Sequence, residues 1–313
     1  MTPLLIAIPA FFTGIILLYK GSDILVDGTA NTAAQIGVSS LIISVVIVAF
    51  GTSAPEFAIS IGAAIQRHAD ISAGNIIGSC IANLLLVLGL SAVIQPIKIQ
   101  KKIIKREMPI VTIVTFILLV SSMFGLLDEY HTIGGLMFLV FFALFLLYFI
   151  RCAQQERNNT LNSFSREGNL LRNITLIILG LIGVIAGAWI LIKSAVILAN
   201  ILHISTFIVS LSMVAVGTSL PELVVSAMAA YKREADIAVG NVLGSNIFNI
   251  LLILGASAIL IPLNMREALD YLVILVIVTI VSFITLYTGG VISRLEGVAF
   301  LVMYTMFIWY MFS

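Results

Sequence analysis

The sequence predicts an all-α polytopic membrane protein with ten transmembrane helices, arranged as two inverted five-helix repeats with helices two and seven broken. Three observations carry this expectation. Of the 313 residues, 61% are hydrophobic and 10% are charged, with a mean hydropathy of +1.18. A soluble domain carries roughly 25% charged residues, so the composition is that of the membrane class. Apolar stretches of bilayer-spanning length recur along the whole chain. Finally, residues 217–256 repeat residues 51–90 without a gap at an offset of 166, with 22 of 40 positions identical.

A membrane helix needs about 20 mostly apolar residues. The candidate spans are 3–34, 38–66, 71–94, 108–125, 132–151, 171–202, 205–231, 237–261, 268–287 and 294–312. The first and sixth are long enough to tilt steeply or to run into the interface. The apolar stretch from Leu4 to Tyr19 has no basic lead and no cleavage site, so it reads as a span and not a signal peptide. The polar stretch 152–170 links two halves, 1–151 and 171–313. Each half holds an odd number of spans, so the second copy enters the membrane in the opposite sense. Inverted repeats of this kind are a transporter architecture, with the substrate site at mid-membrane on the repeat interface.

Lysine and arginine set the orientation. One side collects Lys98, Lys101, Lys102, Lys105, Arg106, Arg151, Arg157, Arg166, Arg172, Lys232, Arg233 and Arg294, and the other only Arg67 and Arg266. The basic side is expected to be cytoplasmic, which places both termini outside and the 152–170 linker inside. The sequons at Asn158 and Asn173 are then cytoplasmic and carry no sugar. The 16 basic and 15 acidic residues nearly cancel. With no long basic stripe, nucleic acid is excluded as a partner. Cys80 and Cys152 suggest neither a disulfide framework nor a metal pair and read as packing residues.

The chemistry concentrates in the repeated motifs. GTSAPE occupies 51–56 and GTSLPE occupies 217–222. Glu56 and Glu222 lie in the middle of apolar stretches, where a charge costs roughly 2.5–3.5 kcal/mol on insertion scales. No basic residue lies near mid-membrane in spans two, three, seven or eight. Two carboxylates brought together there would repel unless a cation lay between them. Their charge balances one divalent ion or two monovalent ones. Pro55 and Pro221 lack an N–H and crowd the preceding turn, while Gly51 and Gly217 loosen it, so both helices should break. The break is expected to free carbonyls around Ala49 to Gly51 and Ala215 to Gly217. Thr52, Ser53, Thr218 and Ser219 add hydroxyl oxygens. Calcium takes six to eight oxygens of this mixed kind. His68, His131 and His203 all fall at span ends, which disfavours zinc or copper.

A second motif pair, GNIIGSCIAN at 74–83 and GNVLGSNIFN at 240–249, completes the expected shell. Gly74, Gly78, Gly240 and Gly244 let helices approach closely. Ser79 with Asn83, and Ser245 with Asn249, are spaced i, i+4 and share a helix face. Taken singly, such residues more often make structural hydrogen bonds; their joint repetition beside unpaired glutamates favours the site. Asp23 and Asp27 lie near Lys20 and read as an interfacial ion pair rather than an ion path. Trp189, Met213 and the phenylalanine run at 138–149 read as packing or lipid-facing residues.

These paired motifs in two inverted halves resemble the sodium/calcium exchangers of the cation/calcium exchanger superfamily, in their compact prokaryotic form. The resemblance implies that Glu56 and Glu222 ligate calcium. It implies that Thr52, Ser53, Thr218, Ser219, Ser79, Ser245 and the carbonyls of Ala49 and Ala215 contribute to calcium and sodium sites. It also implies that spans one and six slide over a fixed eight-helix core. Some prokaryotic members carry Asp at the place of Asn249, and potassium-dependent exchangers carry Asp at such positions. Asn83 and Asn249 here leave two acids at the site and argue against potassium coupling. Proton-coupled calcium exchangers typically read GNxxE in the first motif, which favours sodium for this chain. The resemblance implies no cofactor; the transported ions are calcium and sodium, and the chain is expected to work as a monomer. Against sodium-driven calcium extrusion stand a proton-coupled or broader divalent exchanger, a channel, and an intramembrane hydrolase using both carboxylates as an acid/base pair. The last lacks any GxGD, HExxH or Ser/His pattern at membrane depth.

Overall fold

A computed structural model describes residues 2–98, 101–160, 169–201 and 217–312. Eleven helices account for nearly all of it. They are α1 (Thr2–Ile36), α2 (Ser40–Thr52), α3 (Ala54–Ile65), α4 (Ala69–Ile94), α5 (Lys101–Met123), α6 (His131–Thr160), α7 (Leu170–Ile201), α8 (Leu220–Tyr231), α9 (Ala235–Leu260), α10 (Leu269–Gly289) and α11 (Arg294–Phe312). Among the described residues, seven helices are long and apolar enough to cross a bilayer alone, and the bent pair α2–α3 makes an eighth. The first twelve residues of the seventh expected span, 205–216, lie outside the described residues, and with them Met213.

The helices follow most of the expected spans, with two extensions. α5 begins at Lys101, seven residues before the expected span at 108. α6 continues through Thr160, nine residues into the expected linker. Ala153, Gln154, Gln155, Glu156 and Arg157 are strong helix formers with nothing to interrupt them. Two short strands, β1 (Ile97–Lys98) and β2 (Val291–Ile292), pair antiparallel and tie the two halves together at one end. At that same end Glu156 accepts the Ser39 N–H at 2.9 Å and meets Arg106 at 3.4 Å. At the opposite end Arg266 pairs with Glu129 at 2.6 Å.

α1 and α7 pack against each other along most of their length. Glycine makes the contact possible. A Cβ on Gly14 would meet Leu191, one on Gly21 would meet Val184, and one on Gly28 would meet Ile177, each within 2.8–3.0 Å of backbone atoms. The partner numbers fall as the glycine numbers rise, so the helices are antiparallel. Gly180 and Gly187 answer from the other side, against Leu25 and Leu18. With no water-driven force between helices in lipid, such close backbone approach is what dispersion attraction requires.

The repeat extends to backbone detail. Arg67 and Arg233, mates at the 166 offset, both take left-handed φ, 62° and 64°. Each closes the same helix end: the Arg67 and His68 N–H groups bond the carbonyls of Ala64 and Ala63, and those of Arg233 and Glu234 bond Ala230 and Ala229. The mates Cys80 and Asn246 touch one another: the Asn246 amide donates to the Cys80 carbonyl at 3.2 Å, and the Cys80 thiol faces the Asn246 carbonyl at 4.0 Å. A residue that meets its own mate marks a pseudo-two-fold axis.

Two expectations need correction here. Asp23 and Asp27 do form an ion pair, but with Lys232, at 2.6 and 2.7 Å, and not with Lys20. The Lys232 ammonium also donates to the Asp23 carbonyl at 3.0 Å. Lys20 lies over the ring of Tyr19 and Lys193 over that of Trp189. Lys20 is three residues from Asp23, but Lys232 follows α8, which packs beside α1. Burial works against the Lys232 charge, yet the hydrogen bonds and charges of the two aspartates outweigh it and hold the ammonium above the ordinary lysine value. The four motif glycines also differ. Gly240 and Gly244 pack on Ser44, Val45 and Ala49 of α2 as expected, whereas no described residue lies within 4 Å of a Cβ at Gly74 or Gly78.

The glycine seam predicts a strong steric effect. Gly21→Leu is expected to lower the ion-free melting temperature, corresponding to roughly 1–3 kcal/mol of overpacking. Gly62→Leu, where a Cβ meets open space, serves as the matched control in the same thermal unfolding assay.

Candidate cation site

The site forms where two helices break beside one another. α2 ends at Thr52, Ser53 has φ −79° and ψ 7°, and α3 begins at Ala54 with Pro55 in its first turn and a bend of 47°. Ser219 repeats this geometry, φ −81° and ψ 9°, before α8 and Pro221. Glu56 and Glu222 each stand in the first turn after their break. There the unpaired N–H groups and the helix dipole favour negative charge. π-helical turns lie nearby, at Ser44–Val48, Asn83–Val87 and Phe248–Leu254. Such widenings re-aim side chains and are frequent at functional sites.

Both carboxyl groups are buried, and hydroxyls from the opposite half hold each one. Ser53 donates to Glu222 Oε1 at 3.0 Å, and Ser219 donates to Glu56 Oε1 at 3.5 Å. Ser245 donates to the same Glu222 oxygen at 3.3 Å. Ser79 and Thr218 meet hydroxyl to hydroxyl at 3.2 Å. Sequence-expected residues from both motif pairs therefore converge on one buried cluster. Among the described residues no Lys, Arg or His pairs with Glu56 or Glu222, and no third His, Cys, Asp or Glu joins them.

Unpartnered atoms point to what the cluster holds. Among the described residues Glu56 Oε2, Glu222 Oε2, Asn83 Oδ1 and both amide atoms of Asn249 have no hydrogen-bond partner, though all are buried. Buried polar atoms are normally satisfied, and buried charges are paired or coordinate a metal ion. A desolvated hard cation satisfies two carboxylates, hydroxyls and amide oxygens at once. Among the described residues no group of three or more His, Cys, Asp or Glu side chains forms that could hold a soft metal.

The carbonyl expected free at Ala49 is engaged: it accepts the Ser53 N–H at 3.0 Å. Pro55 lacks the N–H that would bond Gly51, two residues further on, so the break spares Ala49's own helical bond. Ala215 lies outside the described residues.

Two residue pairs were missing from the expected set. Asn75 donates to the Glu56 carbonyl at 3.3 Å and to Ser60 at 2.9 Å. Asn241 donates to the Glu222 carbonyl at 3.3 Å and to Ser226 at 3.0 Å, and accepts from Thr52 at 3.0 Å. These asparagines brace each broken helix against the helix that follows it. Their signal was present as the invariant Asn of both GNxxGS copies, which sequence reasoning spent on the glycines.

The comparisons with known proteins point to one family. A family model described as sodium/calcium exchanger protein matches residues 6–151 and 172–313. Membrane protein MJ0091 of Methanocaldococcus jannaschii is 35% identical over 303 residues, covering 96% of each chain. The sodium/calcium exchanger MaX1 of Methanosarcina acetivorans is 33% identical and covers 94% of this chain and 95% of its own. A solved structure of the sodium-calcium exchanger NCX_Mj soaked without Na+ or Ca2+ matches with a TM-score of 0.86 and 33% identity, over 98% of this chain and 99% of that one.

The two carboxylates make a charge-neutral substitution informative. Glu56→Gln and Glu222→Gln are each expected to abolish the rise in melting temperature produced by calcium, a loss of about 2.7 kcal/mol at 100 times Kd. The ion-free melting temperature should stay level or rise, because one buried repulsion is removed. Thermal shift assays with and without calcium check both.

Proposed function

This chain belongs to the sodium/calcium exchanger family, and on that premise we propose that it is a secondary-active antiporter that exchanges sodium for calcium by alternating access and extrudes calcium. The observation that carries the reading is the meeting of Glu56 and Glu222, two buried carboxylates bonded by serines of opposite halves, each with one oxygen left over. Calcium binding neutralises both charges in a single step. Sodium ions entering the same oxygens lower the site's charge and remove calcium's main attraction, so the two cargoes compete and exchange follows. The family is one of ion exchangers, which speaks against a hydrolase.

The finer architecture belongs to this reading. The chain is a ten-span protein of two inverted five-span halves, 1–151 and 171–313, joined by 152–170. Antiparallel α1 and α7 support it, as do the self-contact of Cys80 with Asn246 and the sorting of loop contacts to two opposite ends. Both termini face outside and the linker faces the cytoplasm, in keeping with the positive-inside distribution. α1 and α7 move as one unit against the remaining helices, because the glycine seam joins them to each other more extensively than to the core. Metal ligands are Glu56, Glu222, Thr52, Thr218, Ser53, Ser219, Ser79, Ser245, Asn83 and Asn249, with the carbonyl of Ala215; that of Ala49 already accepts from Ser53 and Thr52. The chain works as a monomer with calcium and sodium as cargo and the bilayer as its solvent.

Radioactive calcium uptake into sodium-loaded proteoliposomes tests the coupling ion. Uptake is expected to collapse when the sodium gradient is removed and to survive dissipation of the proton gradient; the reverse pattern would favour proton coupling. For orientation, in a Cys152→Ser background, Arg157→Cys is expected to react with an impermeant thiol reagent only from the cytoplasmic face. Glu129→Cys is expected to react only from outside. Labelling of intact cells against inside-out vesicles reads both.

A further inference from the structure

The two halves of the site are not chemically equal, and the difference traces to one position on the pseudo-two-fold axis. In the second half this position is Asn246; in the first half its mate is Cys80. The Asn246 amide Nδ2 lies 3.2 Å from the Cys80 carbonyl, and its Oδ1 lies 3.1 Å from Asn83 Nδ2. The direction of this chain is fixed by chemistry. A backbone carbonyl only accepts, so Asn246 must turn its NH2 toward Cys80. Its oxygen then faces Asn83, which must answer with its own NH2. Asn83 is left with Oδ1 free, and that atom is buried without a partner among the described residues. Ser79, one turn back on the same face, bonds Thr218 inside the site.

We infer that Asn246 is a positioning residue that compels Asn83 to present a carbonyl oxygen, and never its amide NH2, to the transported cation. A cation is attracted by the oxygen of an amide and repelled by its NH2 end. An untethered Asn can turn either end inward. The second half lacks the device, because a cysteine stands where the tether would be. Neither amide atom of Asn249 has a hydrogen-bond partner among the described residues. The site thus has one amide ligand held in its cation-binding orientation by another amide and one, Asn249, that faces only the weakly bonding Cys80 thiol. This rests on the proposed exchange function and assigns a specificity role within it.

The test is a double-substitution cycle read as calcium K0.5 and maximal rate in sodium-loaded proteoliposomes. Asn246→Leu keeps volume and removes both hydrogen-bonding functions. It is expected to raise the calcium K0.5 about 10-fold, the order seen for groups that orient metal ligands, with the maximal rate within about 2-fold. In an Asn83→Ala background, already raised in K0.5, adding Asn246→Leu is expected to change K0.5 by less than about 2-fold, because the ligand it orients is gone. If Asn246→Leu does not fold, Asn246→Ala carries the same expectations. An unchanged K0.5 in the single variant overturns the inference. So does an equal rise in both backgrounds, which marks Asn246 as merely structural. Wild-type protein that binds calcium but shows no sodium-dependent uptake sinks the exchange reading instead. The orienting role is then read from calcium K0.5 in equilibrium binding with the same four proteins, where the same two failures overturn it.

Discussion

The described structure is arranged around two carboxylates that share a buried, low-dielectric space, with no Lys, Arg or His paired to either among the described residues. Two like charges a few ångströms apart in such a medium repel strongly, and each also loses its hydration. A structural ion pair would relieve this permanently and leave nothing for a cargo to do. The fold withholds that relief. It places Glu56 and Glu222 after matched helix breaks and gives each only neutral hydroxyl donors. Among the described residues no lysine or arginine pairs with either carboxylate. The stabilisation missing from the ion-free site is what a cation supplies on binding.

That constraint explains why the surrounding helices are so heavily braced. A helix break in a membrane exposes backbone groups that no water satisfies. Asn75 and Asn241 bind the carbonyls of the two glutamates themselves and anchor to Ser60 and Ser226. The charged side chain is therefore held through its own backbone. The Ser44 hydroxyl donates to the Ile237 carbonyl at 2.7 Å, tying α2 to α9. Gly240 and Gly244 bring those helices close enough for the bond. The core is stiff where the site is, and the smooth glycine seam lies between the two helices at its side.

Much of this was legible in the sequence. The 166-residue repeat, the Gly/Pro breaks and the unpaired glutamates each carry a local signal: an identity count, a missing N–H, a charge in an apolar run. The bracing was less legible. Asn241 bonds three partners on two helices, and no local pattern distinguishes that role from a lone interhelical hydrogen bond. The partner of Asp23 and Asp27 was hidden for another reason. Lys232 is more than 200 positions away in sequence, and only the packing of α8 beside α1 brings it near. The end of α6 was misjudged because polarity stopped the span but did not stop the helix. The Asn246 chain was invisible, since its direction depends on which carbonyl lies opposite.

The Asp23–Lys232–Asp27 cluster has one more consequence. Its mates at the 166 offset are Trp189, Gln66 and Lys193, which form no such cluster, so the ionic link exists at only one end of the pseudo-symmetric molecule. Travel of α1 along α8 by even one helical turn, about 5.4 Å, separates these charges. Travel that keeps them together meets no such toll. On the proposed movement of α1 and α7, the two end states would differ in energy although the architecture is nearly symmetric. Because the groups are only partly buried, their attraction weakens with ionic strength. The salt around this protein acts both as cargo and as a weight on the balance between its two faces.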